Sequence, residues 1–193
     1  PHRRFEYTGT VCGVKLYTDY GHNPAEMRSA LENAVKQPHK RLFAVMQPHT
    51  YSRVKTLFQD YIHCCDLADD VLVTDIFAAR EKDPGDIHAT MLVEAMQKEG
   101  VPAHYTPTFD DAEAYLRAHW QPGDLVITMS CGNINLLNDQ LQKHGEEADA
   151  VYLHLGSTRL PFRSHAASNR LRLSLRRRVL QGRRADGHAP FPR

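Results

Sequence analysis

The stretch Arg41-Leu42-Phe43-Ala44-Val45-Met46-Gln47-Pro48-His49-Thr50-Tyr51-Ser52-Arg53 decides the fold. Residues 42–46 are apolar without a break. The run is short for a helix and lacks the alternation of a strand with one wet face, so it suits a strand covered on both faces. Pro48 has no N–H to give to a ladder and ends it, and the polar turn that follows leads into a helix expected over residues 51–65. The same unit recurs downstream. Strands are expected at 71–76, 103–106 and 125–129, each followed by a helix, at 88–99, 110–120 and 134–143. Upstream, alternating segments at 4–11 and 14–20 flank Cys12-Gly13, the spacing of a hairpin. Asn23-Pro24-Ala25-Glu26 then offers a cap, a first-turn proline and a reciprocating acid ahead of Met27, Leu31, Ala34 and Val35. Strands alternating with helices predict an α/β chain, a mostly parallel sheet covered on both faces with an antiparallel hairpin strand at its start.

Composition fits this reading. The chain has 193 residues, 41% hydrophobic and 24% charged, with a formal net charge of +1, as expected of one globular domain with an appendage. Charge is unevenly spread: residues 1–150 hold 14 Lys+Arg against 22 Asp+Glu, whereas residues 151–193 hold ten Arg, no Lys and one acid. The expected organisation is a domain over 1–147 and an Arg-rich, poorly ordered tail over 148–193. No apolar run approaches the roughly 20 residues of a membrane span, and no leader-like segment opens the chain, so the expectation is a cytoplasmic protein without membrane contact. Cys12, Cys64, Cys65 and Cys131 form no Cys-x-x-Cys and read as ordinary thiols. The neighbours His63-Cys64-Cys65 point about 100° apart on a helix and are not expected to share a metal ion.

In such a sheet ligands collect outside the carboxyl ends of the strands. Two of the loops there are rich in chemistry. Asp19-Tyr20-Gly21-His22-Asn23-Pro24 crowds a carboxylate, a phenol and an imidazole before a helix N-terminus, an arrangement that favours an anion; the alternative is that Asp19 and Asn23 are caps and His22 is solvated. In Pro48-His49-Thr50-Tyr51-Ser52-Arg53 a cation sits in the first helical turn, against the dipole, which suggests a carboxylate sharing the site; the alternative is a surface ion pair. Arg3-Arg4 either reaches a phosphate or is a solvated pair. Ser130-Cys131-Gly132-Asn133 has no Gly-x-Gly-x-x-Gly around it, and nowhere does Gly-x-x-x-x-Gly-Lys precede Ser or Thr, so a nucleotide would have its phosphates held by another segment.

Arg3-Arg4-Phe5-Glu6, Asp19-Tyr20-Gly21-His22-Asn23-Pro24-Ala25-Glu26, Gln47-Pro48-His49-Thr50-Tyr51-Ser52-Arg53 and Gly123-Asp124-Leu125-Val126-Ile127-Thr128-Met129 resemble, in order and spacing, the C-terminal domain of Mur ligases over about residues 1–145. The resemblance implies a Rossmann-like three-layer domain of a three-domain enzyme of peptidoglycan synthesis. There ATP activates the muramoyl carboxylate of UDP-N-acetylmuramate as an acyl phosphate, and L-alanine attacks it. ATP and Mg2+ are implied to be held mainly by a central domain outside this chain, which alone would be inactive. By the same resemblance Tyr20, His22, His49 and Arg53 line the alanine pocket, with Arg53 on the carboxylate, and Arg4 and Asp19 lie near the nucleotide; no residue is assigned a catalytic role and none a metal. Relatives with Arg at the place of Thr50 leave this chain a single guanidinium there. The rivals are another Mur-type amide ligase, such as a peptide-recycling one, and a non-catalytic module whose basic tail binds anions. The tail has few aromatics for base stacking, so nucleic acid is not the expected partner.

Overall fold

The structure, a computed structural model, describes residues 3–154. Its elements run β1 (Glu6–Val11), β2 (Val14–Asp19), α1 (Pro24–Ala34), β3 (Leu42–Met46), α2 (Tyr51–Thr56), α3 (Phe58–His63), β4 (Asp70–Val73), α4 (Ala89–Lys98), β5 (Ala103–Tyr105), α5 (Phe109–His119), β6 (Leu125–Met129) and α6 (Asn135–His154). They build one six-stranded sheet in the order β1-β2-β6-β3-β4-β5. Only the β1–β2 hairpin is antiparallel, as the alternation of elements requires. The Arg-rich tail expected from residue 148 falls almost wholly outside the described residues.

The uninterrupted run in β3 is explained by two cores. Leu42, Ala44 and Met46 pack with Met27, Leu31, Tyr61 and Leu92 on one face. Phe43 and Val45 pack with Leu116, Leu137 and Leu141 on the other. Every residue of β3 and of β6 is buried, and burying a side chain of this size contributes about 1.5–3 kcal/mol.

Two expectations are corrected. The helix read over 51–65 breaks at Leu57, which leaves helical geometry at φ −107°, ψ 21°. Just before it, the Thr56 hydroxyl donates to the Ser52 carbonyl (2.9 Å), a local bond that competes with the helical ladder. The last helix, expected to stop at residue 143, continues through Gly145. A Cβ there would lie 2.7 Å from Val11 Cγ1; this glycine, which looks like a stop signal, lets α6 pass close over the hairpin. Among the described residues no helix is long and apolar enough to cross a membrane.

Glu113 joins α5 to α6. It is 6% exposed and accepts from Arg117 Nε (2.6 Å) and Gln140 Nε2 (2.6 Å), with His144 Nδ1 at 2.9 Å. Burial pushes this carboxyl up, but the bonds from Gln140, Arg117 and His144 outweigh it and hold it below its ordinary value of 4.5. A carboxylate depressed in the folded state stabilises it above the unfolded pKa, and that contribution is lost as pH falls through the folded value. Between neutral pH and acid, the unfolding free energy of the native chain should therefore fall more steeply below pH 4.5 than that of Glu113→Gln. Parallel denaturation curves for the two proteins would contradict this assignment.

Candidate functional site

The central strands stop at one level. Asp19 at the end of β2 and Met46 at the end of β3 both pair with Met129 at the end of β6. The three loops that follow, at 20–23, 130–134 and 47–50, therefore leave the sheet side by side.

The first loop is folded by Asp19, which is 8% exposed. Its Oδ1 accepts from Gly21 N (2.7 Å) and its Oδ2 from Phe5 N (2.7 Å), so one carboxylate closes the turn and pins the N-terminal segment. Tyr20 N donates to Arg3 O (2.6 Å). Asn23 caps α1 by accepting from Glu26 N (3.0 Å), and Glu26 answers by accepting from His22 N (3.0 Å), one residue earlier than the usual capping box. Burial pushes the Glu26 carboxyl up, yet the His22 N–H and ring, with the Asn23 N–H, leave it below its ordinary value. His22 is thereby held half-buried, with Nδ1 3.2 Å from Tyr20 O.

The second loop is zipped to the segment after β4. Phe77 N donates to Pro48 O (2.8 Å) and Thr50 N to Phe77 O (2.9 Å). These bonds hold Thr50 at φ 63°, an uncommon conformation for a β-branched residue. The turn aims His49 back along α2, where Arg53 Nη1 meets its Nδ1 at 3.0 Å. A guanidinium only donates, so Nδ1 is the acceptor and the neutral ring carries its proton on Nε2. Burial, then the nearby Arg53 and His22, push the His49 pKa below its ordinary 6.5. Glu81 accepts from Ser52 N (2.9 Å) and from the Ser52 hydroxyl, and those bonds lower its pKa.

The third loop is drawn in from both sides. Arg3 donates from Nη2 to Ser130 O (2.7 Å) and from Nη1 to Gly132 O (3.1 Å), with its guanidinium 5.3 Å from the centre of the Tyr20 ring. Gln47 donates to Asn133 Oδ1 (2.9 Å). A Cβ on Gly132 would stand 2.6 Å from Gln47 Oε1, so a side chain here would displace the Gln47 amide. Burial raises the pKa of Cys131, against the pull of Arg53 and Arg3.

Four of the residues singled out in the sequence thus meet. The Tyr20 and His22 rings are 5.7 Å apart and His22 and His49 5.9 Å, with His49 stacked on Phe77 at 5.6 Å. Arg53 pairs with His49 rather than with an acid, and it lines a cleft of about 690 Å³ beside Asn23, Pro24 and Arg28. Arg4 and Asp19 border a different depression, of about 280 Å³, with Glu26 and Asn33. Arg3 is the residue that local reading undervalued: its partners lie some 130 positions away in sequence, and only the strand order brings them near.

The Mur ligase, glutamate ligase domain profile matches residues 3–132. The chain belongs to the Mur ligase family. It is 47% identical over 133 residues to a UDP-N-acetylmuramate–L-alanine ligase of Caldanaerobacter subterraneus, covering 69% of this chain and 29% of that protein. It is 45% identical over 140 residues to the protein of that name from Alkaliphilus metalliredigens, covering 72% and 30%. The chain thus spans less than a third of the length of these relatives. Among solved structures it resembles a UDP-N-acetylmuramate–alanine ligase from Thermotoga maritima, with a TM-score of 0.60 at 18% identity over 76% of this chain and 30% of that one. It also resembles a murein peptide ligase from Psychrobacter arcticus, with 0.60 at 20% over 74% and 29%. These likenesses show the fold, the Rossmann-like three-layer domain expected from the motifs.

In a histidine titration followed by nuclear magnetic resonance, His49 is expected to titrate below 6.5 and to show the Nε2–H tautomer at neutral pH. A midpoint at or above that value would contradict the Arg53–His49 contact.

Proposed function

We propose that this chain is the C-terminal domain of a cytoplasmic, ATP-dependent ligase that joins L-alanine to UDP-N-acetylmuramate, and that the cluster of Tyr20, His22, His49 and Arg53 receives the amino acid. The observation that carries this reading is the position of Arg53. Its side chain opens on a cleft, is held by a neutral imidazole and pairs with no carboxylate among the described residues. A guanidinium so placed offers bidentate donors to an incoming carboxylate. The His49 Nε2–H adds a donor of neutral charge, and the Tyr20 ring, 40% exposed, is available as a wall.

ATP supplies the leaving group that a carboxylate lacks, by turning its oxide into a phosphate. ATP and Mg2+ are proposed to be held mainly by a central domain outside this chain. Both oxygens of Asp19 accept backbone N–H groups. Among the described residues no three His, Cys, Asp or Glu side chains are grouped to hold a metal ion. The sequence has no phosphate loop. Arg4, exposed at the rim of the Asp19 depression, is the group proposed to approach a nucleotide bound elsewhere. The part left to this chain is to orient the amine of the amino acid and exclude water, which lowers the entropic cost of the attack.

In a complete ligase carrying this domain, Arg53→Ala should raise the Michaelis constant for L-alanine about tenfold to a hundredfold, the loss of a charge-assisted bond of about 1.5–3 kcal/mol. The constants for ATP and the sugar nucleotide should be little changed. An unaltered constant for L-alanine would remove Arg53 from the site, and preference for a peptide over L-alanine would favour a recycling ligase. The 193-residue chain by itself should release no phosphate from ATP with both substrates present; sustained alanine-dependent turnover would refute that part of the reading.

A further inference from the structure

Beneath the large cleft lies a group of sulfur atoms that the amino-acid site does not use. Cys64 and Cys65 follow α3 and are 3% and 0% exposed, and Met46, the last residue of β3, is 0% exposed. Cys65 Sγ stands 3.6 Å from Cys64 Sγ and 3.9 Å from Met46 Sδ. The expectation that adjacent cysteines diverge assumes they lie within a helix. Here α3 ends at His63 with Cys64 still at φ −64°, ψ −25°, and the two sulfurs nonetheless stand together beside a strand that presents the thioether.

We infer that Cys64, Cys65 and Met46 form a binding site for a thiophilic d10 metal ion, of the copper(I) class. Metal–sulfur bonds of about 2.3 Å set sulfurs about 3.8 Å apart in a tetrahedral arrangement and about 4.0 Å apart in a trigonal one. Both separations from the Cys65 sulfur lie near that range. Two thiolates and a thioether with no carboxylate or imidazole among them are the donor set that selects soft over hard cations. An entry path exists, because Cys64 lines the floor of the cleft that Arg53, Asn23 and His63 also line.

Binding is a substitution without electron transfer. One monovalent ion replaces the two thiol protons, which pass to water, and Met46 donates a lone pair with nothing leaving. The product carries one negative charge beside Arg28, a cation on the wall of the same cleft that also pairs with Asp66 and Glu32. The contact with Cys64, then burial, raise the Cys65 pKa well above its ordinary value. Occupancy also reaches the neighbouring loops. Cys64 Sγ donates to the Tyr61 carbonyl (3.2 Å), a bond that metalation removes, and the Tyr61 hydroxyl donates to His22 O (2.8 Å). This inference is independent of the amino acid the cleft receives.

The test is a competition of the reduced 193-residue chain against bicinchoninate for copper(I), in a Cys12→Ser/Cys131→Ser background that removes the other two thiols. One copper(I) per chain should be retained, with three sulfur neighbours by X-ray absorption. Cys65→Ser should weaken retention at least a hundredfold. Met46→Leu, which conserves volume and keeps both thiols, should weaken it several-fold and leave two sulfurs. Failure of the background protein to retain copper, or retention unmoved by Cys65→Ser in a chain whose circular dichroism is native, would overturn the site. Unchanged retention and three sulfurs in Met46→Leu would overturn the role of Met46.

Discussion

Loops that leave a sheet at different levels, or from strands that are not neighbours, cannot pool their side chains. Here β6, last in sequence, inserts between β2 and β3, and all three end in register at Asp19, Met129 and Met46. That single pairing puts the segment after residue 129 within reach of Arg3 and Gln47 and sets Tyr20, His22 and His49 along one edge. Arg3 and Asp19 then act as ties. One holds the Ser130-Cys131-Gly132 backbone to the first loop, and the other holds the first loop to the N-terminal segment. Without the strand order, Arg3 has no such partner to reach.

The electrostatics of the edge follow from which cation is engaged. Arg3 is engaged by two carbonyls and the Tyr20 ring, though its buried Nε has no partner. Arg53 meets a neutral imidazole, which fixes its direction without cancelling its charge. Because α2 has only six residues, Arg53 belongs to its last turn as well as its first, and the helix dipole does little for or against it. A rigid turn carries this arrangement: the bonds between Phe77 and the Pro48–Thr50 backbone, not the side chains of the cluster, hold Thr50 in its left-handed conformation.

The fold was legible because both signals that define it are local. The unbroken apolar runs of β3 and β6 announce a sheet covered on both faces, and Asn23-Pro24-Ala25-Glu26 announces where α1 begins. What local reading missed depends on distance in sequence or on a single turn. Thr56 looks like any helical residue, and its back-bond lies beside the break at Leu57. Gly145 looks like a terminator, and its missing Cβ is instead room for Val11. Of the candidate site, Tyr20, His22, His49 and Arg53 were each visible in a strand-end loop, but their assembly required the strand order. Asp19 was visible only as an acid in such a loop; that both its oxygens are taken by backbone N–H groups follows from where Phe5 folds back. The sulfur group was hidden for the same reason, since nothing in sequence relates Met46 to Cys65.

The account stands or falls on the strand-end loops forming a receptor for an amino acid. The direct measurement is a titration of the isotopically labelled chain with L-alanine, followed by amide shifts. Saturable perturbations confined to residues 20–23, 47–53 and 130–133, abolished by Arg53→Ala, are the predicted result. Shifts that fall elsewhere on the surface, or that persist unchanged in Arg53→Ala, would contradict it.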